Sequence, residues 1–271
     1  MSSASSSPAE EGRSKTVGVL AIQGSFAEHL EMLAALGTRT REVRLPEDLE
    51  GLDGLILPGG ESTTMAIIGE PTGVFPALRS YIQSGKPVWG TCAGLILLSN
   101  TALFQKEGGQ ALVGGLDIEV CRNFFGSQVE SCEMDMEVGV LEDFSAGMDD
   151  KGHRAVFIRA PAILQVAEGV DVLARVKAKP CSTALASMQA SNSVPDEFKP
   201  AVKKRKTSSD LSAAQEFGLG VAVDTEPWDV IVAVQKGTIL GTAFHPEFTS
   251  DQRWHKHFLS MVNTAASSAE S

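Results

Sequence analysis

Residues 16–22, TVGVLAI, form a short and almost wholly apolar run that Gly24 brings to an end, which predicts a strand buried on both faces. In the next stretch, SFAEHLEMLAALG, the apolar positions Phe26, Leu30, Leu33 and Ala34 recur at helical spacing, and Gly37 supplies a stop. Strand, turn and helix together make a βα unit. The alternation continues with TREVRL, then GLDGLILPGG, then a helical stretch containing VFPALRSYIQSG that stops at Gly85, then KPVWGT running into the helical CAGLILLSN. Buried strands joined by helical crossovers predict an α/β fold, an open and mostly parallel sheet with helices on both faces.

The second half is richer in strand patterns. LDIEVCR, CEMDMEV, AVFIRA, VDVLARV, DVIVAVQ and TILGTAFH alternate or run apolar with short gaps, and SDQRWHKHFLSMVNTAA reads as a closing helix that TSDQ can cap. Between the last two strand pairs, from about 177 to 226, the chain is rich in Ser, Ala, Lys and Pro and shows little sustained periodicity, which predicts a polar surface insertion. The expected organisation is a disordered tail over 1–15, a single domain over 16–264 carrying that insertion, and a second disordered tail over 265–271. There is no internal repeat.

A chain of 271 residues that is 43% apolar can bury a core of ordinary size. Its formal net charge of -11 argues against general nucleic-acid binding, which needs a basic face to displace counterions from phosphates. The run KKRK at 203–206 can serve as a nuclear address, but four basic residues in a polar loop are better read as a solvated patch. The four cysteines, at 92, 121, 132 and 181, form no C-x-x-C pair and no regular framework, which indicates neither a zinc ribbon nor a disulfide scaffold and fits a reducing, cytoplasmic setting. No apolar run approaches the ~18 residues a bilayer requires, so no membrane association is expected. The opening MSSASSSPAEEGRSK lacks the apolar centre of a secretory signal, and Glu10 and Glu11 argue against a transit peptide.

Open sheets of this kind place their sites at the carboxyl ends of the strands. Three turns fall there: IQGS after the first strand, LPGGEST after the third and GTCAG after the fourth. In GTCAG, Cys92 stands between Gly90 and Gly94 at the junction of strand and helix. Small neighbours permit a sharp elbow that exposes a nucleophile, and a helix start favours the thiolate through its unpaired N–H groups and dipole. The competing reading is a buried structural cysteine beside packing glycines.

Near the end of the chain, TAFHPEFT ends a strand at His245, with Glu247 two positions on. Pro246 pushes the preceding residue into an extended conformation, so Glu247 can orient His245 and complete a Cys, His, Glu triad. Gly59 and Gly60 in LPGGESTTM can turn backbone N–H groups toward an oxyanion, with the N–H of Ala93 as a second donor, while Ser62, Thr63 or Thr64 caps the following helix. His255 and His257 lie two apart on a helix and diverge by ~200°, so they are read as solvated residues rather than metal ligands. His29 and His153 have no ligand-like neighbours at useful spacing and stay outside the site, which is expected to hold no metal.

GTCAG followed by HPE resembles the class I, triad-type glutamine amidotransferases. Within them GVLAIQGSFAEH, LILPGGESTTM, GKPVWGTCAGLILL, RNFFGSQ, VFIRAP and GTAFHPEFT, in that order, resemble the glutaminase subunits of pyridoxal 5'-phosphate synthases. The resemblance covers roughly residues 16–176 and 227–263. It implies a flavodoxin-like class I fold and hydrolysis of L-glutamine to L-glutamate and ammonia. The ammonia would pass to a synthase (lyase) subunit that builds the vitamin B6 cofactor within a large hetero-oligomer. This chain itself would bind no cofactor. By resemblance Cys92 is the nucleophile, His245 the base and acid, and Glu247 its orienter. Gly60, Glu61, Ser62, Arg122, Ile158 and Arg159 match the glutamine-binding segments.

The chemistry of the ligand agrees, since glutamine carries a carboxylate for a guanidinium, an ammonium for acceptors and an amide carbon for a nucleophile. A second reading gives the ammonia to another synthase, such as the one that makes imidazole glycerol phosphate, though GGESTTM, RNFFGSQ and VFIRAP favour the first. A third is a cysteine peptidase or a non-enzymatic binding protein on the same sheet, and a binding module has no need for nucleophile, base and orienter together. The insertion between Val176 and DVIVAVQ departs from the compact family pattern and affects local loop geometry, not the triad.

Overall fold

Ten of the described strands form one sheet, and its central members align because their apolar runs can be buried only between two layers of helix or loop. A computed structural model gives the fold over residues 14–103, 109–126, 132–136, 138–144, 152–190 and 226–269. The first half alternates as β1 (Thr16–Leu20), α1 (Phe26–Ala35), β2 (Arg39–Val43), β3 (Gly54–Leu57), α2 (Ser62–Gly69), α3 (Val74–Gln83), β4 (Val88–Thr91), α4 (Ala93–Leu98) and β5 (Ser99–Leu103). The second half holds β6 (Leu116–Cys121), β7 (Cys132–Met136), β8 (His153–Phe157), β9 (Ala162–Val166), β10 (Asp171–Ala178), α5 (Ser182–Ala190), β11 (Trp228–Lys236), β12 (Ile239–Thr242) and α6 (Arg253–Ala269).

The main sheet runs β2-β1-β3-β4-β12-β11-β9-β6-β5, with β10 also paired to β11, and β7 with β8 forms a separate ribbon. From β2 to β12 every neighbouring pair is parallel, as the apolar runs predict. Beyond β12 the steps to β11, β9 and β6 are antiparallel and the last, β6 to β5, is parallel again; this is the strand-rich half legible in the sequence. The residues of β3, β4 and β12 are buried throughout, and side chains such as Trp89, Phe75, Phe124 and Phe244 complete one continuous core. No helix among the described residues is long and apolar enough to cross a membrane.

Three boundaries differ from expectation. The stretch CAGLILLSN is helical only to Leu98, because the Ser99 hydroxyl donates to the Ile96 carbonyl and the chain then pairs with β6 as β5. The insertion expected from 177 begins later, since β10 continues to Ala178 opposite Trp228 and Asp229, and 182–190 forms α5. Its remainder, with KKRK, lies outside the described residues, as do residues 1–13 of the N-terminal tail. The closing helix runs on to Ala269 through alanines of high helix propensity, where a tail over 265–271 was expected.

The topology fixes the site. β12 inserts beside β4 in parallel, with Thr242 opposite Thr91. The carboxyl ends of two strands distant in sequence therefore emerge side by side, one leading to Cys92 and the other to His245.

Candidate active site

Cys92 turns the chain from β4 into α4 at φ 46°, ψ -99°, a backbone conformation that side chains rarely adopt. The elbow depends on its glycines. A Cβ at Gly94 would stand 1.9 Å from the Leu57 carbonyl oxygen, so only glycine lets α4 seat on β3 this closely. The Cys92 N–H donates to the Thr242 carbonyl at 2.8 Å, fastening the turn to β12. Ala93 opens α4, where its N–H belongs to the first turn and has no intrahelical acceptor. Among the described residues the other non-glycine positions with positive φ are Asn123 at 54° and Arg159 at 50°, and all three line one cavity. Backbone strain is gathered at a single place.

His245 follows the end of β12, held by its own N–H donating to the Val156 carbonyl at 2.9 Å. Its Nδ1 lies 2.8 Å from Glu247 Oε1, and the Ser25 hydroxyl donates to that same oxygen at 2.6 Å. On the other side the ring faces the Cys92 side chain, both packed against the Gly59 backbone. A Cβ at Gly59 would come within 2.2 Å of His245 Cε1, so the glycine turn is what allows the imidazole to lie against the backbone. Phe248 stacks on the ring from the solvent side, with centroids 5.1 Å apart.

Burial disfavours a charge on His245, but the Cys92 sulfur and then the Glu247 carboxylate outweigh it and push the imidazole up to about 10. Burial likewise works against the Glu247 charge. His29 and His245 oppose it together with the Ser25 hydroxyl, and hold the carboxyl down at about 2. His29 is itself driven toward the neutral form by burial. Near neutral pH the hydrogen bonds from His245 and Ser25 are therefore the larger support.

The cavity has a volume of about 340 Å³. Cys92, His245, Gly60, Glu61, Ser62, Arg122, Ile158 and Arg159 all line it, so the residues expected at the site come together. Glu247 and Ala93 stand immediately behind, 5% and 1% exposed. The Ile158 carbonyl oxygen is 4.0 Å from Cys92 Sγ. Arg122 reaches Glu61 Oε1 and Thr63 Oγ1, each at 3.2 Å, while its Nε is buried without a hydrogen-bond partner. Arg122 also lines the cavity and brings positive charge to its wall.

The cap of α2 is not a hydroxyl, as the sequence suggested. Glu61 is the N-cap, its carboxylate accepting from the Thr64 N–H at 2.7 Å, and Ser62 is already helical. A carboxylate long enough to reach the third helical N–H displaces the shorter side chains from that job. Burial works against the Glu61 charge, but the Thr64 bonds and Arg122 hold its carboxyl below the usual range. Burial pulls Arg122 down, and Glu61 opposes that.

Sequence reasoning missed several participants. Gln23, Ile96, Asn123 and Phe248 also line the cavity, and Gln23 Oε1 accepts from the Glu61 N–H at 2.8 Å. Ser25 supports Glu247 from the IQGS turn, a role its sequence context does not signal. His255, expected to be solvated, is fully buried, and His29 is fully buried as well. His255 falls on the stripe with Phe258 and Val262, and His29 on that of Leu33. A polar residue on an apolar stripe was the available signal. His257 is partly buried, with Nε2 3.1 Å from Gln235 Oε1. His153 pairs with Asp251 at 3.1 Å, away from the cavity.

The chain matches the SNO glutamine amidotransferase family over residues 19–210. It is 46% identical over 256 residues to a probable pyridoxal 5'-phosphate synthase subunit PDX2 of Arabidopsis thaliana, covering 94% of this chain and 89% of that one. It is 38% identical over 262 residues to the pyridoxal 5'-phosphate synthase subunit PdxT of Clavibacter michiganensis subsp. michiganensis, covering 97% and 98%. Among solved structures it is similar to a glutamine amidotransferase, with a TM-score of 0.64 at 35% identity and coverage of 91% and 98%.

Proposed function

This chain belongs to the SNO glutamine amidotransferase family, and from that premise we propose that it is the glutamine-hydrolysing subunit of a pyridoxal 5'-phosphate synthase, with Cys92, His245 and Glu247 as its triad. The observation that carries the triad assignment is the convergence of Cys92 and His245 on one cavity, both against the Gly59 backbone, with His245 Nδ1 2.8 Å from Glu247 Oε1.

The chemistry follows from the geometry. The Cys92 proton passes to the free ring nitrogen of His245 as sulfur bonds to the side-chain amide carbon of L-glutamine. The carbonyl oxygen becomes an oxyanion, held by the N–H groups of Gly60 and Ala93. The imidazolium then gives its proton to the amide nitrogen, the C–N bond breaks, and ammonia leaves a glutamyl thioester on Cys92. Water, deprotonated by His245, attacks the thioester carbon. The C–S bond breaks, sulfur recovers the proton, and L-glutamate is released. Glu247 favours the charged ring, which readies the proton it has taken for the leaving nitrogen.

Arg122 and Arg159 bring positive charge to the cavity for the substrate carboxylate, and Glu61 and the Ile158 carbonyl offer acceptors to the ammonium. Ser62 stands beside Glu61 at the cavity wall. The ammonia goes to a synthase (lyase) subunit, in a large hetero-oligomer located in the cytoplasm. The names of the relatives favour this destination over an imidazole glycerol phosphate synthase. Affinity capture of the full chain from native extract should recover a pyridoxal 5'-phosphate synthase subunit, whose addition raises glutaminase activity. Recovery of an imidazole-pathway synthase in its place would overturn the assignment.

A further inference from the structure

Only one oxygen of Glu247 is accounted for by the triad. Oε1 receives both the Ser25 hydroxyl and His245 Nδ1. Oε2 is buried and has no hydrogen-bond partner, though His29 Nε2 lies 3.4 Å from it. His29 Nε2 is also 3.3 Å from Thr91 Oγ1, and His29 Nδ1 is 2.9 Å from His255 Nε2. Both rings are fully buried and stand edge-on to Trp89, at 5.6 and 4.9 Å between centroids. His255 Nδ1 is buried with no hydrogen-bond partner.

These contacts select the tautomers. A carboxylate oxygen only accepts, so His29 Nε2 must carry the hydrogen to serve Oε2. His29 Nδ1 is then a bare acceptor, and His255 Nε2 must donate to it. His255 Nδ1 is left as a bare lone pair, which is the buried atom without a partner. The opposite assignment, with Thr91 donating to a bare His29 Nε2, turns a lone pair toward the carboxylate. It also strands an N–H at His255 Nδ1 with nothing to accept it, the costlier orphan of the two.

We propose that His29 is a positioning residue for the hydrolysis, its Nε2–H held toward Glu247 Oε2 in a tautomer fixed by His255. Through Glu247 it fixes the plane and the tautomer of His245. The proposal rests on the triad reading above. The long contact tightens as His245 gains charge and the carboxylate is drawn into line, since catalytic hydrogen bonds in an empty site are often long. The other titratable groups that bear on the two rings are His245 beyond β12, Glu28 on α1 and Asp251 ahead of α6. Burial moves both pKa values down, which agrees with two neutral rings.

Nitrogen NMR of the full chain with labelled imidazoles, at neutral pH, should show His29 and His255 both as Nε2–H tautomers, and an Nδ1–H His29 would overturn the proposal. In steady-state assays, run with the synthase subunit, His29→Leu should lower kcat by roughly ten- to a hundredfold, the loss of one bond to a charged group, with KM for glutamine within about twofold. His29→Gln, which keeps a donor near the Nε2 position, should recover most of it. His255→Leu should lower kcat in the same sense and His255→Gln should not, which keeps the idea open to refutation if His29→Leu does not fold. Equal losses in the Leu and Gln variants, or a kcat within twofold throughout, would refute it. Cys92→Ala in the same assays separates the two levels: if it retains activity the triad reading fails, whereas if it is inactive and the His29 variants are unaffected, only the positioning role fails.

Discussion

Thr91 and Thr242 lie directly opposite one another across the parallel pair β4 and β12, and every later feature of the site descends from that register. The residue after Thr91 is the cysteine, and three residues after Thr242 comes the histidine. A slip of one residue would turn each side chain of β12 to the other face of the sheet. The Cys92 N–H bond to the Thr242 carbonyl and the indole N–H of Trp89 on Thr242 Oγ1, at 2.8 and 3.1 Å, lock the register.

The elbow is the first place to test. Gly94→Ala puts a methyl group 1.9 Å from a backbone oxygen that cannot rotate away. The variant should lose ~1–3 kcal/mol or more by overpacking, read as a lower denaturation midpoint, with glutamine hydrolysis falling alongside it. Wild-type stability would mean that α4 does not sit on β3 as described.

Glu247→Gln preserves volume but exchanges a charged acceptor for an amide. The Ser25 and His245 bonds can no longer both be made to a carboxylate oxygen, and the ring loses its tautomer control. Turnover should fall by ~10² to 10⁴ while KM for glutamine changes little. A large rise in KM with unchanged kcat would place Glu247 in substrate binding.

Arg122 calls for the reverse signature. Lysine keeps the charge but not the planar fork, so Arg122→Lys is not a conservative change at a site that meets a carboxylate edge-on. The lost charged hydrogen bonds should raise KM by roughly ten- to a hundredfold, with a smaller effect on kcat. An Arg122→Lys enzyme with wild-type KM would remove the guanidinium from the glutamine site.

How much of this was readable from the chain depends on how local each signal is. Cys92 between two glycines, and His245 with Glu247 two positions on, announce themselves because the chemistry is packed into a few adjacent residues. Glu61, Arg122, Ile158 and Arg159 were reachable only through resemblance, since an arginine after a strand says little by itself. Ser25, Gln23 and His29 act across the sheet on residues hundreds or dozens of positions away, and no window of sequence contains both partners. The fold was legible where buried parallel strands give unbroken apolar runs. It was missed at β9 and at α5, where AILQV is brief and STALASMQA carries no amphipathic pattern.

The coupled charges predict a pH dependence. Burial alone would lower His245, yet Cys92 and Glu247 raise it to about 10, so the stability this gives is complete below the unfolded value of ~6.5 and is lost as pH rises through about 10. Glu247 runs the other way, its contribution present above ~4.3 and lost as pH falls through about 2. Removing the sulfur in Cys92→Ala should move the His245 midpoint, followed by NMR, to lower pH. A midpoint that does not move would show that the two side chains are not coupled.

Selective alkylation follows from the surroundings of the thiols. Burial pushes Cys121 and Cys132 up, away from the thiolate, and the Cys181 sulfur lies 3.3 Å from the Asn123 carbonyl and 3.2 Å from Thr183 Oγ1. A glutamine-like electrophile should label Cys92 first, located by peptide mass spectrometry, and glutamine should protect it. Equal labelling of all four thiols would count against an activated Cys92.

Glutamate release from L-glutamine by the full chain and by Cys92→Ala, each supplied with the synthase subunit and each checked for folding, bears most directly on the triad. The account predicts a folded variant whose release is lower by ~10² or more. A folded Cys92→Ala protein that releases glutamate at the wild-type rate would contradict it.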